Sequence, residues 1–212
     1  SDCHSGYSAY PHPKRNIAGK RDYAITQYEV CKNCHFANYT KTLDSIHYDL
    51  LAGGNQQAPV CTDCHSAHNV TPPNQPRSQI SRTCSTCHSA INNDYVNSVH
   101  GRALVEENNK DVPACTYCHG VHNIHDPRTS AFRMDSTALC ASCHTNSALM
   151  DKYNISTQVV QTYLNDFHCI TMTLRKKQSP GAWTDKAICI DCHGIHNIAR
   201  VDSLNSPVMK AN

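Results

Sequence analysis

Six times the chain writes the same five-residue word, Cys-x-x-Cys-His: CKNCH (Cys31, Cys34, His35), CTDCH (Cys61, Cys64, His65), CSTCH (Cys84, Cys87, His88), CTYCH (Cys115, Cys118, His119), CASCH (Cys140, Cys143, His144) and CIDCH (Cys189, Cys192, His193). Two thiols at this spacing can hold zinc, work as a redox dithiol, or add across the two vinyl groups on one edge of a porphyrin. The histidine decides between them. Neither a zinc knuckle nor a redox dithiol needs His at that one position each time. Haem attachment does, because the residue after the second thioether swings under the ring and binds the iron as its proximal ligand. The six words therefore read as six covalent haem c sites.

A seventh Cys-His pair, Cys3 and His4 in SDCHSG, has the second half of the word. It reads as the remainder of another attachment site, with Cys3 as a thioether residue and His4 as proximal ligand. The spacing supports this. His65 lies 19 residues before Cys84 and His119 lies 21 before Cys140, and His4 lies 27 before Cys31. By the same spacing a further motif after His193 is expected near residue 212, so the chain reads as a stretch of a continuing array.

The motifs alternate between two kinds, and the alternation is an internal repeat. Leading motifs start at Cys31, Cys84 and Cys140 and are followed by a stretch ending in a further His: His47 in DSIHYD, His100 in NSVHGR, His168 in NDFHCI. Trailing motifs start at Cys61, Cys115 and Cys189, and each has another His three residues on: His68 in CHSAHNV, His122 in CHGVHNI, His196 in CHGIHNI. The chain divides into an N-terminal segment, 1–30, and three two-haem modules, 31–77, 78–130 and 131–212, wrapped as one continuous body.

The histidine count matches six bis-His irons. His47, His68, His100, His122, His168 and His196 are the distal ligands this reading assigns, and His12 or His125 would serve the haem on His4, where Tyr7 takes the place of the trailing-loop His. Three residues are too short a path around a porphyrin edge, so a trailing-loop His must bind the iron of another haem. The helix His has 14 to 21 residues before the next trailing motif, enough to cap that motif's haem. The expected pairing is thus helix His with the trailing haem of its own module, and trailing-loop His with leading haems. Met134, Met150, Met172 and Met209 are alternative axial ligands, and His122 with His125 has a weak zinc-like spacing.

The elements that must position these ligands are helices. In ISTQVVQTYLNDFH, Ile155, Val159, Tyr163 and Phe167 recur every four residues, with Val160, Leu164 and His168 on the adjacent row, and Ser156 or Thr157 suits the N-cap. Leu43 with His47 and Val96 with His100 repeat the offset, and Gly53–Gly54 and Gly101 would end the first two helices. Phe and Trp together number only four and the mean hydropathy is −0.54, so the chain has few large apolar side chains for a core. The haems would supply it. The fold expected is mainly α with much irregular coil and little β, haem at its centre, and folding dependent on haem attachment. A net charge of +2 argues against a nucleic-acid partner, and the chain has no run of 18 apolar residues to span a membrane. Covalent haem attachment occurs outside the cytoplasm, so the location expected is periplasmic or extracellular.

Over essentially its whole length the chain resembles the multihaem c-type cytochromes of anaerobic respiration, on the six motifs, on SVHG before CTYCHGVHNI and on FHCITMT before CIDCHGIHNI. The resemblance implies electron transfer with redox partner proteins, either as a periplasmic carrier or as a subunit of an extracellular filament in which one subunit lends a His to the next subunit's haem. Multihaem oxidoreductases of the nitrite or hydroxylamine type are the other class. They keep one iron open, often with Lys in the motif, and no Cys-x-x-Cys-Lys occurs here. Cys169 departs from the resemblance, standing where Gly is usual after the distal His.

Overall fold

The structure, a computed structural model, describes residues 3–4, 9–14, 16–167, 169–170, 174, 187–204 and 206–208. Among them every regular element is helical. Most helices are a turn or two long, because Ser, Asn, Gly and the attachment motifs interrupt the apolar runs. The chain forms two compact units, one of residues 1–75 with 119–125, the other of 76–118 with 126–212.

In the first unit, Lys20–Thr26 leads into Tyr28–Thr42, which contains the first leading motif. The longer helix is kinked at His35 (φ −114°, ψ 39°), so the proximal ligand sits at the break rather than in a regular turn. Tyr28 is buried, and its hydroxyl is hydrogen-bonded to Thr42 Oγ1, tying the two ends of the helix together. Arg21 donates to Asp63 at 2.7 Å and to the carbonyl of Gln56 at 2.7 Å, which anchors the loop leading to the trailing motif.

In the second unit, Gln79–Ser85, Ser89–Asn97 and Val99–Val105 pack on one another. Tyr95, Leu104 and Ala114 form their small core, with Ile80, Val96 and Val112 against it. A second core joins Cys169 and Ile188 to Met134, Tyr163 and Ile190, where Ser130–His144 lies beside Cys189–His193. Met134 and Met150 belong to packing, the latter buried; Met172 and Met209 lie outside the described residues.

One expectation about these helices changes. The apolar row that runs into each distal His does not lie on one continuous helix. The chain breaks at Ser45 and at Ser98, both extended and buried, and a new seven-residue helix starts: Ile46–Ala52 or Val99–Val105. Each serine Oγ donates back to a carbonyl, Thr42 at 2.7 Å or Tyr95 at 2.6 Å, and accepts forward from the N–H of Tyr48 at 3.1 Å or Gly101 at 3.0 Å. A side chain that satisfies both groups offers the backbone an alternative to the helical ladder, so the helix ends and restarts. Gly53 does end its helix, but Gly101 lies inside Val99–Val105. The third equivalent is similar: Gln158–Leu164 stops before Asn165 and Asp166, with Thr157 at its N-cap.

The first backbone N–H of each restarted helix is used in the same way. Ile46 donates to the carbonyl of Ile124, and Val99 to that of Ile198, each at 2.9 Å. Ile124 and Ile198 close the HNI triplets that follow trailing motifs, two residues after His122 and His196. The helix His of one module is therefore docked beside the trailing-loop His of the next.

Candidate functional site

Trailing motifs form their own one-turn helices, Cys61–His65, Cys115–His119 and Cys189–His193. In two of them an Asp at the third position of the motif bends back to the N-cap: Asp63 accepts from Val60 N–H and Asp191 from Ile188 N–H, each at 2.7 Å. Each carboxylate is also held by an arginine, Asp63 by Arg21 and Asp191 by a two-point contact with Arg133 at 2.9 and 2.7 Å. Burial opposes ionisation of Asp191, but Arg133 dominates and holds it below the usual carboxylate range. In CTYCH a tyrosine stands at this place, and Tyr117 instead contacts Ser142 at 2.9 Å. These clamps were open to a sequence reading through the Asp three residues after Val60 or Ile188, a capping spacing.

Leading motifs lie within or at the ends of longer helices instead. Cys31, Cys34 and His35 lie in Tyr28–Thr42, Cys84 lies in Gln79–Ser85 with Cys87 and His88 just after it, and Cys140, Cys143 and His144 finish Ser130–His144. Within each module the first cysteines of the two motifs are hydrogen-bonded to each other: Cys31 with Cys61, Cys84 with Cys115, and Cys140 with Cys189. The bond from Cys140 brings Cys189 down to about 6, while the same bond and burial push Cys140 up. Thioethers formed on these sulfurs would set the edges of two porphyrins against each other.

Just after each trailing motif the chain turns sharply. Ser66 (φ 58°, ψ 177°), Gly120 (φ 83°) and Gly194 (φ 79°, ψ 179°) all take positive φ, and the turn sends the next His away from its own motif. With extended ψ this region suits only glycine, and a side chain there costs on the order of 1–3 kcal/mol. Ser66 recovers part of this by donating to the carbonyl of Asn69 at 2.7 Å. Ser66→Gly is expected to stabilise the protein by about 1 kcal/mol after the entropy cost of glycine, read as a raised denaturation midpoint; an unchanged or lower midpoint would refute the strain.

Three pairs of imidazoles lie close together, their ring planes inclined by 22°, 30° and 52°. The ring centroids of His4 and His68 are 5.9 Å apart, those of His65 and His122 6.1 Å, and those of His100 and His144 6.3 Å. Ring packing alone occurs over this range. What separates these contacts from packing is their make-up: each joins a motif His to an added His at a repeat-matched position. Two imidazoles on opposite faces of one iron, with each nitrogen at roughly 2 Å, place their centroids about 6 Å apart. His4 is further oriented by Tyr23, whose hydroxyl meets its Nδ1 at 2.8 Å, leaving Nε2 for a metal. Burial, with a smaller push from His144, lowers His100 to about 4, and burial also lowers His122, His144 and His196. All four are kept neutral, the form that ligates iron. Apolar side chains that a porphyrin face would cover flank the motifs in the open: Phe36, Val121 and Ile195 are 66, 56 and 58% exposed.

His100 lies beside the leading-motif His144 of the next module, and His122 and His68 lie beside His65 and His4, which belong to trailing-type motifs. The break at Ser98 turns His100 off the preceding helix, and Val99 docks on Ile198. His47 is the second residue of Ile46–Ala52, and His196 is half-buried in the loop after Cys189–His193. His88 stands at the N-cap position of Ser89–Asn97 without a side-chain cap, and His119 and His193 close their motif helices. His12 and His125 are exposed, and His12 Nδ1 contacts the carbonyl of Ala9 at 3.1 Å. His168 lies outside the described residues. Among the described residues no cluster of three or more His, Cys, Asp or Glu side chains is arranged to hold a metal ion, and no helix is long and apolar enough to cross a membrane.

A model of the doubled CXXCH motif family matches residues 52–93, which contain one trailing and one leading motif. No curated protein and no solved structure matches the chain. The match supports a multihaem c-type cytochrome-like protein, and the Cys-x-x-Cys-His motifs indicate covalent binding of haem c.

Proposed function

We propose that the protein is an electron conduit, passing electrons along closely set bis-His c-type haems in anaerobic or extracellular respiration. The observation that carries this is the set of facing histidines at 5.9, 6.1 and 6.3 Å. An iron held on both faces has no position for a substrate, and it changes redox state with little movement. Two imidazoles also hold its potential lower than a His/Met pair would. The juxtaposed first cysteines of each module support close contact between successive porphyrins, which an electron relay requires.

Six haems on the complete motifs and a seventh on Cys3 and His4 are the content of this reading, and the contact of His4 with His68 supports the seventh. The conduit works in the periplasm or outside the cell with redox partner proteins, as a soluble carrier or as a subunit of a filament.

Electron paramagnetic resonance of the oxidised holoprotein tests the proposal. Low-spin ferric haem throughout is expected, and a stoichiometric high-spin component would instead indicate an enzyme with an open iron. Intact mass gives the haem number, and negative-stain microscopy of the same sample separates filament from monomer.

A further inference from the structure

The three facing pairs obey one rule of register, and two backbone contacts obey it with them. Trailing-type motifs are served from later in the chain: His4 faces His68, and His65 faces His122. The leading motif at Cys140 is served from earlier, by His100. The contacts Ile46 to Ile124 and Val99 to Ile198 join the same elements, a helix that contains a donated His and a loop that contains another.

We infer that modules donate axial ligands to their neighbours, both backward and forward along the chain: His122 is the distal ligand of the haem on Cys61, Cys64 and His65, His68 that of the haem on His4, and His100 that of the haem on Cys140, Cys143 and His144. No haem of the three is closed by its own module. The short restarted helix and the positive-φ turn at Ser66 and Gly120 are the two devices that make the exchange possible. The first turns a His toward a motif further along the chain. The second sends a His away from its own motif toward an earlier one. Each iron then closes a long loop of chain, so ligation itself clamps successive modules together. Electronically, the potential of one haem is set partly by a residue that belongs to its neighbour.

This rests on haem c being attached as proposed above, and the experiment separates the two. His122→Ala is made in the full chain and in a chain whose Cys61 and Cys64 are both replaced by Ala. Intact mass first counts haems; a chain that takes up none overturns the conduit reading itself. With haem attached, His122→Ala alone is expected to convert one haem equivalent from low to high spin in the ferric spectrum, reversed by added imidazole. In the Cys61→Ala/Cys64→Ala background, one haem poorer, the same substitution should add no high-spin signal, since the iron it opens is gone. His122→Met covers the case in which the alanine variant fails to fold. It keeps six-coordinate iron, and one haem should titrate at a raised potential in the full chain and none in the Cys61→Ala/Cys64→Ala background. A high-spin or raised-potential haem that persists without Cys61 and Cys64 overturns the register, as does a His122→Ala chain that stays wholly low-spin. His100→Ala against Cys140→Ala/Cys143→Ala repeats the test in the other direction, with the same two outcomes.

Discussion

Made without haem and kept reduced, the chain is expected to lose most of its helical circular dichroism and to show no cooperative thermal transition, while the holoprotein melts cooperatively. Two observations make this the largest effect in the molecule. The first is helix length. Lys20–Thr26, Ile46–Ala52, Gln79–Ser85, Val99–Val105 and Gln158–Leu164 have seven residues each, and the trailing-motif helices five. Isolated helices below about 12–15 residues are marginal in water, so these depend on what they pack against. The second is the core. Leu104 and Ile188, each 1% exposed, are the large apolar side chains enclosed almost completely among the described residues, while Phe36, Val70, Phe167 and Leu204 lie mostly open. Porphyrin would be the apolar surface available to the motif-flanking side chains, and the proposed iron ligation joins segments far apart in sequence. Removing haem removes packing and cross-links together. A reduced apoprotein with the holoprotein's far-UV spectrum and melting behaviour would refute this.

How far the sequence reveals this arrangement depends on what sets each feature. Attachment sites are legible because covalent chemistry dictates their spacing: two thioethers and a ligand must meet one porphyrin, and no tertiary contact can alter that. The alternation of leading and trailing motifs is legible for the same reason, and so is the helical class. The proposed ligand register is not. Leu43 with His47 and Val96 with His100 keep a four-residue offset across the breaks at Ser45 and Ser98, so periodicity runs through places where the backbone does not. A serine before an apolar residue and a His reads equally well as a helix interior or an N-cap, and only its buried hydrogen bonds decide. The direction in which His100 points follows from Val99 docking on Ile198, nearly a hundred residues away, a contact between main chains that leaves no mark in side-chain pattern. Cys169, which departs from the resemblance, is buried against Ile188.

Gly101→Ala is expected to destabilise the protein by about 3 kcal/mol or more, at the upper end of what overpacking costs. A Cβ on residue 101 would stand 1.8 Å from the carbonyl oxygen of Tyr95, 2.5 Å from its carbonyl carbon and 2.9 Å from Val96 Cα. All three atoms are main chain, so no rotamer change relieves the clash. Nor can the segment retreat cheaply. Gly101 N–H is bonded to Ser98 Oγ, Ser98 Oγ to the carbonyl of Tyr95, and the Tyr95 hydroxyl to the carbonyl of Pro113 at 2.6 Å, two residues before Cys115. Shifting the turn would also move His100, the next residue back, away from His144. Loss of stability should therefore come with a partial high-spin signal, a readout that a simple core defect elsewhere would not produce. Gly19→Ala is the control: its backbone is extended and nothing lies within 4 Å of the added carbon, so its midpoint should stay within about 0.5 kcal/mol of the parent. If Gly101→Ala melts with the control and stays wholly low-spin, the tight turn from Ser98 to Gly101 does not hold His100 in place, and its position must come from iron ligation alone.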